Sequence, residues 1–465
     1  MRITYGRLVL KSLLQHFKFV FLSCSFSFLT FTVSHAETQS QLARTTFETT
    51  LTNGLKVIIR EDHRAPIALT QIWYSVGSSD ESGNILGVSH ALEHMMFKGT
   101  TKVPDNEFTR LSRIYGGRVN AATSSNYTNY YQLYPNAYLP MALELEADRM
   151  TNLVLRQNDF LTEMNVVMDE RRQRTDDNPR ALAFERFKWL AYPTSHARQP
   201  VIGYMKNLQN IQLDDLKNWY KTWYSPNHAT LVIIGDVDAE TTLKQVQKYF
   251  GHTPKQISTE RNDVLEFDRV GYRHMEVELP VHVPNLYMAW NVRSIKTAKN
   301  PQDAYALTII QALLDGHISS RLQQRLVRDK KILSSISVNY DPYNRGDSLF
   351  TITALPADGV SLASAQDTIQ KEIDILKTEL IEPVELERVT NNFVSNLIYS
   401  QDDIIGQAQM IGLLEVNGLS YRLVDDLPEH YQTVTPQDIQ RVANAYFVKS
   451  NLTTLYLEPE QTQGK

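Results

Sequence analysis

Short apolar segments alternate with longer amphipathic ones along the first half of this chain. Runs of strand length follow turn residues such as Asn53-Gly54, whereas segments with apolar residues every three or four positions are typical of helices. One such helix is expected to end at Gly116-Gly117. The predicted strands are 55–60, 67–76, 118–124, 127–134 and 229–235, and the predicted helices are 105–114, 140–155, 159–175, 213–223 and 239–250.

The second half repeats this order in a weaker form. Strands predicted at 275–279 and 285–291 repeat the first strand pair, and a helix at 303–314 follows them. The helix and strand predicted within 435–457 repeat the segment 213–234. The pattern therefore indicates two copies of one unit of roughly 200 residues.

A polar stretch without periodicity separates the two copies, from residue 251 to about residue 262. We predict an N-terminal domain over 37–251, a linker over 252–270 and a C-terminal domain over 271–465. The predicted fold class is α+β, with two homologous domains, each an antiparallel sheet with helices packed mainly on one face.

The candidate chemistry of the chain is concentrated in His90-Ala91-Leu92-Glu93-His94. Two histidines four residues apart on a helix lie on the same face, and Glu93 shares that face. Two imidazoles and a carboxylate could hold a zinc ion and activate its water. The alternative is a chance occurrence of these residue types.

Two protein ligands do not complete a zinc site, because a catalytic zinc takes three. Glu163 and Glu170 lie two helical turns apart in the predicted helix 159–175 and project from one face. They could supply the third ligand. The alternative is a solvated acidic edge.

Glu170 follows His94 by 76 positions, inside an E-x-x-V-V-x-x-E segment that starts at Glu163. Together with His90-x-x-Glu93-His94, this resembles the inverted-motif zinc peptidases of the pitrilysin/insulinase family, in their bacterial two-domain, processing-peptidase-like form. The resemblance implies that His90, His94 and Glu170 bind one Zn²⁺ per chain. It also implies that Glu93 is the general base and that Glu163 supports the site.

Two further parts of the chain resemble family segments that contact substrate. Gly117-x-x-Asn120-Ala121 is similar to an edge strand beside the zinc, to which the substrate backbone adds itself, which implies substrate-binding roles for Asn120 and Ala121. The alternative there is an ordinary hairpin. Arg328 matches a family arginine that reaches the substrate, but Ser335 stands where the family usually has a tyrosine. Arg328 as an ordinary surface charge is the alternative.

The N-terminal segment carries four basic residues, then an uncharged apolar run over 19–33, then Ser34-His35-Ala36. This predicts a secretory signal peptide, 1–36, and a periplasmic protein, with an uncleaved membrane anchor as the alternative. Cleavage would remove the chain's only cysteine, Cys24, and would change the net charge from −5 to about −9. That charge argues against nucleic-acid binding, and no stable membrane span is expected after cleavage.

The predicted function is that of a zinc endopeptidase acting on peptides or unfolded polypeptides. Family members enclose substrate in a chamber made of two two-domain halves, and this chain supplies one half. The resemblance therefore implies a homodimer, or a heterodimer with a homologous subunit that lacks the zinc motif. The alternatives are a non-catalytic or partner-dependent subunit of a peptidase-like assembly, and a different kind of zinc hydrolase.

Overall fold

Two β-sheets form the frame of the protein, each built within one half of the chain. They are seen in a computed structural model that describes residues 46–460, except positions 258, 260, 262–264, 267 and 269. The predicted signal peptide and Cys24 lie outside the described residues. The predicted linker lies partly outside them, and the domain boundaries remain predictions.

The helices and strands of the described residues follow one another as strands, helices and strands in each half. The strands are β1 (Thr46–Thr50), β2 (Lys56–Glu61), β3 (Ile67–Tyr74), β4 (Arg118–Thr123), β5 (Thr128–Pro135), β6 (Ala229–Gly235), β7 (Arg273–Leu279), β8 (Asn285–Val292), β9 (Leu333–Asn339), β10 (Ser348–Pro356) and β11 (Leu452–Pro459). The helices are α1 (Val88–Met95), α2 (Glu107–Ile114), α3 (Leu139–Asn152), α4 (Gln157–Arg171), α5 (Pro179–Ala191), α6 (Met205–Leu208), α7 (Leu213–Trp223), α8 (Ala239–Phe250), α9 (Gln302–Asp315), α10 (Leu362–Thr378), α11 (Pro383–Ser400), α12 (Ile404–Val416), α13 (Leu423–Gln432) and α14 (Pro436–Tyr446).

The two sheets have matching strand orders, β1-β2-β6-β3-β5-β4 and β7-β11-β8-β10-β9. Apart from the added β1, each strand of one sheet has a counterpart at the same place in the other. Helix α9 follows β8 as α1 follows β3, and α14 precedes β11 as α7 precedes β6. This agreement supports the internal repeat inferred from the sequence.

The expectation of purely antiparallel sheets is wrong in one detail, because β2 pairs with β6, and β7 with β11, in parallel. The reason is topological. Strands β2 and β3 run in opposite directions, and β6 is inserted between them. An inserted strand must be parallel to one neighbour and antiparallel to the other, and β6 is antiparallel to β3. Each domain is thus α+β with a mixed sheet.

Each half packs most of its helices on one face of its own sheet, as predicted. In the first half, side chains of α1, α3, α4, α7 and α8 form a core with Val57 and Ile59 of β2 and with Ile72 of β3. In the second half, α9, α10 and α14 pack in the same way on β8 and β10.

The opposite face of each sheet is covered by a helix from the other half, which the residue pattern does not predict. Helix α12 lies on the first sheet, where Ile404, Ala408 and Ile411 contact the outward face that includes Ile58 and Trp73. Helix α5 lies on the second sheet, with Ala183 and Phe187 in contact with β7, β8 and β11. Burial on both faces explains why β6 is apolar at successive positions.

The contact between α12 and the first sheet depends on a glycine. A Cβ atom added to Gly412 would lie 2.0 Å from Nε1 of Trp73, whose side chain is 2% exposed.

No described helix combines the length and the apolar character needed to cross a membrane.

We expect Gly412→Ala to lower the free energy of unfolding by about 1–3 kcal/mol, because a methyl group overpacks a contact between a helix and a rigid indole. The control is Gly346→Ala, since a Cβ at Gly346 has no atom within 4 Å. Urea unfolding of both variants provides the measurement. Equal stability of the two variants would contradict the close packing of α12 on β3.

Candidate metal centre

Helix α1 presents the candidate motif because its apolar positions face the core. Val88, Ala91, Leu92 and Met95 are buried, so the remaining face carries His90, Glu93 and His94. These three side chains are therefore only partly buried and can be reached from solvent.

The start of α1 is held by a buried carboxylate. Glu81, which is 0% exposed, accepts hydrogen bonds from the backbone N–H groups of Gly87 at 2.6 Å and Ser89 at 2.8 Å. Burial raises the pKa of Glu81 to about 8, although both amide donors favour its ionised form. Gly87 has a φ of +100°, which favours glycine, and a Cβ there would lie 2.7 Å from the Ile202 carbonyl oxygen.

Helix α4 brings the distal glutamates to the same place. It packs against α1, and Oε2 of Glu170 lies 3.8 Å from Nε2 of His90 and 3.5 Å from Nε2 of His94. One ligand atom from each of these three residues lies within 4.8 Å of the others. The structure thus brings together the three residues that the resemblance implied as ligands.

This donor set fits zinc. Two imidazole nitrogens and one carboxylate oxygen are the protein ligands of many catalytic zinc sites, and donors on a tetrahedral zinc lie about 3.3 Å apart. The two separations between Glu170 and the imidazole nitrogens, 3.8 and 3.5 Å, are close to that value. Burial, with the nearby charges of His94 and Arg174, lowers the pKa of His90 to about 3, so this imidazole is neutral and its lone pair is available to a metal.

Glu93 lies beside these donors and is held separately. Its Oε2 accepts a hydrogen bond of 2.5 Å from the hydroxyl of Thr123, the last residue of β4. Burial raises the pKa of Glu93, and the hydrogen bond from Thr123 partly opposes this shift. One carboxylate oxygen of Glu93 therefore has a fixed orientation.

Glu163 contacts a ligand rather than joining the cluster of donors. Its Oε2 lies 3.2 Å from Nδ1 of His94, and its Oε1 lies 2.5 Å from Nζ of Lys98. On the other side of the site, Arg174 contacts Oε1 of Glu170 at 2.8 Å. Lys98 and Arg174 were not among the predicted site residues. Each follows a site residue by four positions, which places it on the same side if the helical turn continues, but this spacing alone does not single out either residue.

Strand β4 is the edge strand of the first sheet and packs against α1. Ala121 and Thr123 are half-buried on the side that contacts the core, whereas Asn120 is exposed. Asn120 and Ala121 thus lie on an edge strand that contacts α1, the helix that carries His90 and His94. Their roles in binding substrate remain predictions.

Arg328 lies in the second half, in a π-helical segment, Gln323–Asp329. It is exposed and forms no hydrogen bond or ion pair with another described residue. Ser335 is exposed on β9, the edge strand at the position that β4 has in the first sheet. The role of Arg328 toward substrate remains a prediction.

The duplicated α+β fold, with two histidines and a glutamate from α1 and a distal glutamate from α4, defines an inverted-motif zinc peptidase. The family described as Insulinase (Peptidase family M16) matches residues 56–203, and the Peptidase M16 inactive domain matches residues 210–393. The zinc protease PqqE of Helicobacter pylori is 30% identical over 417 residues, which are 88% of this chain and 92% of that protein. The chain belongs to the M16 insulinase family. The family and the enzyme class expected from the sequence are confirmed.

Solved structures agree with this assignment. A protease from Helicobacter pylori superposes with a TM-score of 0.84 at 28% identity, covering 90% of this chain and 100% of that one. The periplasmic protease PqqL from Escherichia coli has a TM-score of 0.75 at 18% identity and therefore shows the fold alone. This chain covers 48% of PqqL.

We expect Glu170→Gln to weaken zinc binding by more than the roughly 10- to 100-fold that is typical when a neighbour of a ligand is changed. The reason is that the amide removes the only charged donor of the cluster. Asp169→Asn is the matched control, because Asp169 is the preceding residue of α4 and its side chain is 75% exposed. Zinc affinity is measured by competition with a chelator. Equal affinities in both variants would mean that the third ligand lies elsewhere.

Proposed function

We propose that this chain is a zinc-dependent endopeptidase that cleaves peptides or unfolded polypeptides. The observation that carries the proposal is the convergence of His90, His94 and Glu170, with ligand atoms within 4.8 Å of one another, in a member of the M16 family. The position of Glu93 on the same helix face supports the proposal.

Each residue of the site would have a separate role in the reaction. His90, His94 and Glu170 would hold the zinc ion, which when bound polarises the peptide carbonyl and lowers the pKa of water. Glu93 takes the proton of the attacking water and delivers it to the leaving amine. The hydroxyl of Thr123 orients Glu93 through one oxygen, which leaves the other oxygen for proton transfer. A carboxyl group with a raised pKa is suited to accept and then release a proton.

The edge of β4 is suited to hold an extended substrate. An edge strand offers unpaired N–H and C=O groups, which an extended peptide can satisfy by adding as a further strand. Because β4 carries Asn120 and Ala121 and ends at Thr123, a peptide bound there would run next to Glu93. Backbone recognition of this kind favours flexible peptides over folded proteins.

We expect Glu93→Gln to retain zinc and to lower the rate of peptide hydrolysis by at least about 10²- to 10⁴-fold, because an amide cannot accept the proton of water. Glu107→Gln is the control, since Glu107 forms an exposed ion pair with Arg110. The measurements are zinc content and hydrolysis of an unstructured fluorogenic peptide. A zinc-loaded Glu93→Gln protein with near-normal activity would disprove the role of Glu93.

The second half of the proposed catalytic chamber would come from another two-domain chain, identical or homologous. Arg328 is exposed and unpaired among the described residues, and PqqL is about twice as long as the segment that this fold matches. A serine at position 335 is too short to take the place of a phenol. A partner that lacks the zinc motif and carries both arginine and tyrosine would supply the missing donor.

We therefore expect the chain to be weakly active alone and to gain on the order of 100-fold or more from such a partner, because a lost transition-state donor commonly costs that much. Kinetics with and without the partner provide the measurement, with Glu93→Gln in this chain as the inactive control. Full activity of the purified homodimer, unchanged by Arg328→Ala, would contradict this expectation and would also count against the partner-dependent alternative.

We also propose that the protein acts in the periplasm after removal of residues 1–36. The basic start, the apolar run and Ser34-His35-Ala36 support this location. N-terminal sequencing of the protein from cell fractions is the test. An intact segment 19–33 in the membrane fraction would show that it is an anchor instead.

A further inference from the structure

We infer that Lys98 is a positioning residue of the metal centre, which acts through Glu163 on His94. This inference rests on the proposed zinc-dependent function. Lys98 lies just after α1, four residues beyond His94, and its Nζ is 2.5 Å from Oε1 of Glu163. The other oxygen of the same carboxylate is 3.2 Å from Nδ1 of His94. The three groups form a continuous series of polar contacts, from the ammonium to the carboxylate to the imidazole.

The geometry of His94 shows what this series of contacts does. Nε2 faces Glu170 and is the atom that a metal would take. With a metal on Nε2, Nδ1 would carry the ring hydrogen and donate it to Glu163. This hydrogen bond sets the tautomer and the plane of the ring. Its direction depends on the rotamer of Glu163, which has several rotatable bonds.

Lys98 restricts that rotamer. With one oxygen bound to the ammonium, the carboxylate of Glu163 can present only its second oxygen to His94. Without Lys98 the carboxylate could turn toward the cluster of donors and compete with Glu170 for the metal. The side chains of Glu163 and Lys98 are 11% and 27% exposed, so water screens this ion pair less than it screens one on the surface.

His90 offers a contrast within the same site. Its Nδ1 is buried and forms no hydrogen bond with a described residue, so no hydrogen bond from this atom orients the ring. On the side of Glu170, Arg174 is 72% exposed and constrains its partner only weakly. Among these contacts, the partly buried series from Lys98 through Glu163 to His94 therefore contributes most to the orientation of a ligand.

The test is the zinc affinity of Lys98→Met, measured with a chromogenic chelator. We expect affinity to fall by about 10- to 100-fold, as it does when outer neighbours of ligands are lost. Lys98→Arg should recover part of the loss. Lys102→Met is the matched control, because Lys102 pairs with Glu144 on the surface of the same domain, and it should bind zinc like the wild type.

A double-mutant cycle separates positioning from a general structural effect. In a Glu163→Leu background, Lys98→Met should change zinc affinity by less than about twofold, because a leucine side chain can bind neither Lys98 nor His94. The imidazole ¹⁵N shifts of His94 in the zinc-loaded protein give a second readout. They should show a well-defined protonated Nδ1 in the wild type and a disturbed one in Lys98→Met.

The possible results have distinct meanings. If Lys98→Met binds zinc like the wild type with unchanged His94 shifts, the inference is overturned while the proposed function stands. An equal loss of affinity with and without Glu163 would also overturn it. If the wild-type protein binds no zinc, the proposed function itself fails, and this inference fails with it.

Discussion

The packing of α12 on the outer face of the first sheet is the contact on which the rest of the structure depends. Strand β3 pairs with β5 and β6, and its Trp73 is covered by α12 at a point where only glycine fits. In return, α5 covers the second sheet. Because buried apolar strands need cover on both faces, neither half can complete its core alone. The second half, which lacks the zinc motif, is therefore part of the scaffold that supports the first half, which carries it.

The candidate metal centre depends on that scaffold through three elements. Helix α1 supplies two imidazoles and Glu93, α4 supplies Glu170 and Glu163, and β4 supplies Thr123. All three elements pack around the same core, so the distances between donors are set by apolar contacts rather than by the donors themselves. Like-charged and metal-seeking groups can be held together in this way before a metal binds.

Much of the site could be predicted because its residues lie on two helices. The spacing of His90, Glu93 and His94 depends only on helical geometry, and so does that of Glu163 and Glu170. Helical geometry could not predict three features of the fold. These are the parallel pairing of β2 with β6, the presence of β1, and the packing of α5 and α12 on the sheet of the other half. They depend on contacts between residues far apart in sequence, which local periodicity does not encode. Lys98 was within reach of the same helical argument, but one lysine after a helix has no distinctive pattern.

The second copy of the fold shows why a duplicated zinc helix need not keep its chemistry. Helix α9 stands where α1 stands, yet its residues are buried without interruption from Ala304 to Ile310. Helices α11, α13 and α14 pack around α9, so this buried stretch offers no face on which ligands could meet a metal and a substrate. The edge strand β9 has nevertheless kept exposed positions, as β4 has. Within this architecture a copy can lack the metal-binding motif and still have an exposed edge strand. An extended peptide or a second subunit requires such a strand in order to pair with the sheet.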